Sequence, residues 1–287
     1  MFFFKALFVR IGEWIAFCVS LWALWQATQG EWLWLAPLLA WAPMGIINQW
    51  RLRRGNLAFH DEREVLALTA ALLGLAAVLI AGERNYLLWW TLAGLFNLLL
   101  NTVLMSKLSR GVRETSGDRR LLASLTFTDT QGRAVSASSA RLLVFVHSGW
   151  SPYSVMQLRD LERFLLANSS VKPQSVALVF SGLPPTHWRP LSSLQALGVE
   201  VWGDCDGEAC QRLGLWLRGA SVLRSRGGDA LRPTMAVLPS RAAVDAGRKP
   251  SSVENVSEPS FWSMSNNVRL PPSATQHQAR LLALLAS

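Results

Sequence analysis

Apolar residues in the first third of the chain gather into four long runs, Trp14 to Gly30, Trp32 to Trp50, Val65 to Gly82 and Tyr86 to Ser106, with almost no charge inside them. A soluble helix would carry a charged face, whereas these runs are apolar all round, which only lipid or a very large core tolerates. Each approaches the roughly 20 residues that cross about 30 Å of hydrocarbon. The rest of the chain is too small to supply such a core. The pattern therefore predicts an all-α transmembrane domain over residues 1–110, with four spans near 11–30, 32–50, 65–82 and 86–106. Arg10 and Glu13 stand just before the first run, and Pro37 and Pro43 interrupt the second, where kinks are expected.

The period changes after a polar, basic linker at 111–120. Leu125 to Val135 alternates apolar and polar residues around Gln131-Gly132, which predicts a hairpin. Arg141 to Val146 is a continuous β-branched and aromatic run suited to a strand inside a mixed sheet. Val155 to Asn168 repeats Leu158, Leu161, Phe164 and Leu165 at helical spacing. Strands follow at Ser175 to Phe180, Val199 to Trp202 and Thr234 to Leu238, with helices at Trp188 to Leu197, Asp204 to Leu217 and Thr275 to Ala286. The Ser-rich segment from Gly247 to Pro259 reads as an exposed excursion before Phe261-Trp262 returns to the fold. Strands alternating with helices predict an α/β sandwich over 121–287.

Composition sharpens this division. Nine of the 14 Trp precede residue 91, and Trp14, Trp32, Trp34, Trp50, Trp89 and Trp90 lie near run ends, where indole suits the headgroup layer. Asn97 and Asn101 share one face of the last run and are expected to point at another helix or a polar path. No Asp, Glu, Lys or Arg lies deep in a run, which disfavours a pump or carrier. Lys5 and Arg10, then Arg51, Arg53, Arg54 and Arg63, then Lys107, Arg110, Arg113, Arg119 and Arg120 flank the runs on one side, while the other side carries only Arg84. This bias puts both termini and the C-terminal domain in the cytoplasm of a multi-pass protein of a bacterial-type inner membrane. The same flanks account for much of the net charge of +9, and no nucleic-acid motif accompanies them. No phosphate-binding glycine loop is present, so neither nucleotide nor nucleic acid is expected as a partner. Three cysteines, at 18, 205 and 210, are too few for a disulfide scaffold and fit a reducing compartment. Cys18, inside the first run, is expected to face lipid or to pack.

The stretch Gly149-Trp150-Ser151-Pro152-Tyr153-Ser154, leading to Gln157-Leu158-Arg159-Asp160-Leu161, resembles thioredoxin-fold proteins of the peroxiredoxin-like branch (alkyl hydroperoxide reductase/thiol-specific antioxidant, or redoxin). That branch carries Trp-Cys-Pro-Tyr-Cys at the corresponding loop. Asp204-Cys205-Asp206-Gly207-Glu208 with Leu213-Gly214-Leu215 is similar to a second family feature, and Arg232-Pro233-Thr234 to its cis-proline turn. The resemblance covers residues 120–287 and implies a thioredoxin-like sandwich with Pro233 facing the motif loop. Both motif cysteines are serine here, Ser151 and Ser154. Thiol exchange and peroxide reduction need a thiolate, which a hydroxyl cannot replace, so the family's activity is expected to be absent and no catalytic residue is assigned.

Other chemistries can be written from the residues. Ser151 with His147 or His187 and Asp160 composes a hydrolytic triad on paper, but the loop lacks a second glycine, and Ser154 is better placed to cap the following helix. Cys205 and Cys210, at the start of a helix whose dipole would lower a thiol pKa, are either structural thiols or a relocated redox pair. Asp204, Asp206 and Glu208 lack the later ligands of a calcium loop, and no metal or cofactor is implied. Two functions follow. The first is a membrane-anchored, redox-inactive module that binds or helps assemble a partner protein through a groove at Trp150, Pro152, Tyr153 and Pro233. The alternative is a membrane thiol oxidoreductase or antioxidant protein acting through Cys205 and Cys210.

Overall fold

The computed structural model describes residues 2–54, 64–82, 85–105, 122–149, 151–182, 188–217, 229–238, 261–264 and 271–286. The chain divides into two compact units, Met1–Arg53 with Phe59–Lys107, and Arg54–Ala58 with Leu108–Ser287. The basic linker and the 247–259 excursion lie outside the described residues.

The apolar runs become four helices: α1 (Phe2–Thr28), α2 (Leu35–Arg54), α3 (Val65–Ile80) and α4 (Tyr86–Leu100), the last continuing into a π-helical turn at Asn101–Met105. Pro37 falls in the first turn of α2, where a missing N–H costs little, and Pro43 lies inside the helix. Asn85 caps α4, its side chain accepting from the Leu87 N–H at 3.0 Å. Of these helices, Tyr86–Val103 is long and apolar enough to cross a membrane by length and composition, and Val65–Ile80 is a shorter apolar helix.

Small residues bring the helices together. A Cβ added at Gly74 of α3 would meet the Ala36 carbonyl oxygen of α2 at 2.5 Å, and one at Gly94 of α4 would meet Ala40 and Trp41 of α2 at 2.8 Å. Backbones this close allow the Trp41 Nε1–H to reach the Trp90 carbonyl at 2.9 Å. At Gly12 the backbone of α1 approaches Asn97 and Asn101, whose amides bond one another at 3.0 Å, so the Asn pair faces a neighbouring helix. Hydroxyls of Ser20, Thr91 and Thr102 donate to carbonyls one turn back, satisfying themselves inside their own helices. Arg51 and Glu64 form a buried ion pair at 2.7 Å.

The second unit is a mixed α/β structure. Strands β1 (Thr126–Asp129), β2 (Ala134–Ser136), β3 (Leu142–Phe145), β4 (Val176–Ser181) and β5 (Glu200–Asp204) come first. A two-stranded ribbon of β6 (Trp216–Leu217) and β7 (Ala230–Leu231) precedes β8 (Thr234–Val237) and β9 (Phe261–Met264). The main sheet runs β2-β1-β5-β4-β3-β8-β9. β3, β4 and β5 are parallel neighbours, whereas β8 pairs antiparallel with β3, and β9 with β8. Helices α5 (Pro152–Ala167), α6 (Arg189–Ala196), α7 (Glu208–Arg212) and α8 (Gln278–Ala286) complete the unit.

Strand alternation sends side chains to two cores. Leu142, Val144, Leu178 and Phe180 meet Leu158, Leu161 and Phe164 of α5, Leu191 and Leu194 of α6, and Leu281 of α8 on one side. Leu143, Phe145, Val179 and Trp202 meet Phe127, Cys210, Leu213 and Leu231 on the other. Each such buried Leu or Phe contributes roughly 1.5–3 kcal/mol over exposure. The expected helix over Asp204 to Leu217 is realised only at α7. Left-handed Gly207 (φ 69°) opens it and left-handed Gly214 (φ 66°) closes it, and the chain then extends into β6.

Candidate functional site

The loop between β3 and α5 carries the motif serines. Pro152 sits in the first turn of α5, where its fixed φ suits a helix start. Ser151 is the residue before it, extended (φ −83°, ψ 129°) and buried, and its hydroxyl makes no capping bond. Ser154 is fully buried, and its Oγ accepts from the Ser148 N–H at 3.1 Å. Its hydroxyl thus turns back to hold the loop instead of capping α5 as expected. The Ser148 carbonyl meanwhile accepts from the Ser151 N–H at 3.5 Å, and the Ser151 carbonyl from the Ser154 N–H at 3.2 Å, so the loop closes on itself.

The register of β3 and β8 pairs Phe145 with Thr234, which brings Arg232-Pro233-Thr234 beside the strand that feeds the loop. His147 fastens this juxtaposition twice. Its Nδ1 lies 2.7 Å from the Leu231 carbonyl, and its own carbonyl accepts from the Leu231 N–H at 2.8 Å. Burial pushes the His147 pKa down to about 4, opposed by the bond to Leu231. The ring is therefore neutral at neutral pH, and because a carbonyl only accepts, Nδ1 carries the proton. The expected cis peptide before Pro233 is not found, since no described peptide bond is cis. The path between the Leu231 and Thr234 pairings is followed with the trans isomer, which X–Pro bonds favour by about 0.5–1 kcal/mol.

Of the triad written from the sequence, the described members His147 and Asp160 each bond elsewhere. Asp160 spends its carboxylate on the C-terminal segment, accepting from the Ser273 hydroxyl at 2.9 Å and the Thr275 N–H at 3.2 Å. The Leu231 carbonyl orients the His147 ring, and its lowered pKa makes it a weak base. His187 lies outside the described residues, as does Trp150 of the expected groove. Tyr153 is half-buried, while Pro233 is buried.

Cys205 is exposed, Cys210 is buried, and both are free thiols. The Cys210 N–H donates to Asp204 Oδ2 at 2.6 Å. Burial pushes the Cys210 thiol well up, and the neighbouring Asp204 charge and its hydrogen bond push it further. The expected lowering by a helix start is reversed here, because α7 is a five-residue helix and Asp204 already occupies its amino end. Asp204 thus serves as a backbone acceptor.

Sequence reading passed over Gln157. This buried side chain lies three residues after Ser154, and its Nε2 reaches the Phe145 carbonyl at 3.4 Å. A polar residue at a core-facing position of α5, in phase with Leu161 and Phe164, is the available signal.

No protein-family model and no curated protein matches the chain. Among solved structures, it is similar to a peroxiredoxin-like protein from Aquifex aeolicus, with 13% identity, 55% of this chain and 82% of that chain covered, and a TM-score of 0.39. A secreted Mycobacterium tuberculosis disulfide oxidoreductase homologous to E. coli DsbE matches at 16% identity, over 58% of this chain and 99% of that one, with a TM-score of 0.34. Xanthomonas campestris peroxiredoxin Q matches at 11% identity, over 58% and 92%, with a TM-score of 0.36. The connectivity described above, β3-α5-β4 parallel and β8-β9-α8 antiparallel around β3, is consistent with a thioredoxin-like sandwich.

Proposed function

We propose that this chain is a multi-pass membrane protein whose α/β unit is a thioredoxin-like, peroxiredoxin-like domain turned from thiol chemistry to the binding of a partner protein. The observation that carries this reading is Ser154. At the place where the family chemistry needs a thiolate, a fully buried hydroxyl holds the Ser148 N–H and stabilises the loop. Cys210, the buried thiol of the alternative pair, is disfavoured as a thiolate by burial and by Asp204. These features speak against the alternative of a thiol oxidoreductase acting through Cys205 and Cys210.

The anchor is supported by where the apolar surface lies. Among the described residues, the exposed large hydrophobic side chains all belong to the helical unit except Leu166, and they include Trp14, Phe17, Leu73, Ile80, Trp89 and Phe96. Small residues inside and large apolar ones outside is the arrangement expected of helices packed in lipid. The α/β unit is read as cytoplasmic from the basic flanks, and the partner is read as docking at the motif loop with Trp150 and Tyr153 as aromatic anchors.

One experiment addresses both the binding and the lost chemistry. The full chain is crosslinked in cells with and without peroxide stress, purified, alkylated under denaturing quench and analysed by mass. A partner is expected to co-purify with the wild type and to be lost with Trp150→Ala, with Cys205 and Cys210 reduced throughout. Cycling of the two thiols as a pair, or undiminished partner recovery with Trp150→Ala, overturns the reading.

A further inference from the structure

Among the described residues, the two faces of the α/β sheet differ in charge. On the side covered by α5, α6 and α8, Arg159, Arg163, Lys172, Arg189 and Arg280 are exposed, and Glu162 is the only carboxylate of the described residues in these helices that is not buried. The other side carries Asp129, Glu200, Asp206 and Glu208 together with Arg133 and Arg212. There Arg133 pairs with Asp129 and Arg212 with Glu208.

The basic side also has an apolar feature. Leu166 is 65% exposed, the only exposed large hydrophobic side chain among the described residues of this unit. It follows Arg159 by seven residues and Arg163 by three, so the three form one outward stripe of α5. Cations flanking an isolated exposed leucine on a helix suit the boundary between anionic headgroups and acyl chains. An acidic protein would complement the charge but gives no reason for the leucine.

Resting on the proposal that the chain is membrane-anchored with this unit cytoplasmic, we infer that the α5-α6-α8 face docks on the anionic phospholipid surface of the membrane that holds the chain. The docked state places Arg159, Arg163, Lys172, Arg189 and Arg280 among lipid phosphates and Leu166 at the acyl boundary. Because the attraction is electrostatic, it weakens as salt shortens the Debye length to about 3 Å at 1 M.

The test uses the full chain reconstituted into vesicles of phosphatidylcholine alone or with 30% phosphatidylglycerol (~30%, a composition chosen for its negative surface potential). Leu166→Cys, in a Cys18→Ala/Cys205→Ser background, carries an environment-sensitive fluorophore, and part of the lipid is brominated to quench it. Flotation of the vesicles reads anchoring separately from docking. Expected are co-flotation with both compositions and quenching at least about threefold stronger with phosphatidylglycerol, a difference abolished by 1 M salt or by Arg159→Glu/Arg163→Glu (~1 M, where screening is nearly complete). Co-flotation with no quenching, or with equal quenching in both compositions, overturns the docking while leaving the anchor standing. Failure to float with either composition overturns the anchor and the docking together.

Discussion

His147 joins the end of β3 to Leu231 through both its ring and its backbone, and it does so while buried and neutral. An unfolded histidine titrates near 6.5, whereas this one titrates near 4 in the fold. Its folded-state pKa is depressed, so the neutral ring's stabilisation is present above about pH 6.5 and is lost as pH falls through 4. The shift corresponds to about 3 kcal/mol. Urea midpoints of the α/β unit, read by pulse proteolysis of the full chain in detergent, are expected to drop steeply between pH 6.5 and 4, and His147→Gln to flatten that drop. A pH-independent difference between the two proteins would show that burial of this ring is not the cause. The histidine was legible as a residue near the motif, but its role was not. A partner 84 positions away in sequence is fixed only by the antiparallel pairing of β3 and β8.

At the scale of elements, helical and strand periods located nearly every helix and strand in advance, because burial against one face leaves a repeat in the sequence. The β6-β7 ribbon left no such trace, since two-residue strands are too short for a period. Close helix contacts were equally hidden: a glycine in an apolar run has no pattern that says which neighbour approaches it. At Gly94 α4 comes close to α2, so Gly94→Leu must displace Ala40 or Trp41 and with it the Trp41 bond to the Trp90 carbonyl. The expected loss is about 1–3 kcal/mol of overpacking, read as a lower melting temperature in detergent. Ala93→Leu, on the exposed face one residue earlier, serves as the control and should melt with the wild type. Equal melting of the two variants would contradict the close packing.

For the whole molecule, the arrangement of basic flanks makes a topological prediction. Reporter fusions at the C-terminus are expected to behave as cytoplasmic, with an active fluorescent protein and an inactive alkaline phosphatase. Fusions at Gly30 and Gly82, the glycines that end α1 and α3, should give the opposite result. Active phosphatase at the C-terminus would invert the molecule and remove the anionic leaflet from reach of the α5-α6-α8 face.

What the sequence by itself determined is what depends on local periodicity and residue chemistry: four apolar helices, a strand-helix-strand unit after a basic linker, and the absence of thiols at positions 151 and 154. Tertiary structure decided which of several available bonds each polar group takes. Ser154 could have capped its helix but holds Ser148, Asp160 could have oriented a histidine but secures Ser273 and Thr275, and a helix start could have acidified Cys210 but burial, with Asp204, raises it. Each choice turns on distances between residues far apart in sequence or on burial, and both come into being only when the sheet and the elements packed on its two faces close around them.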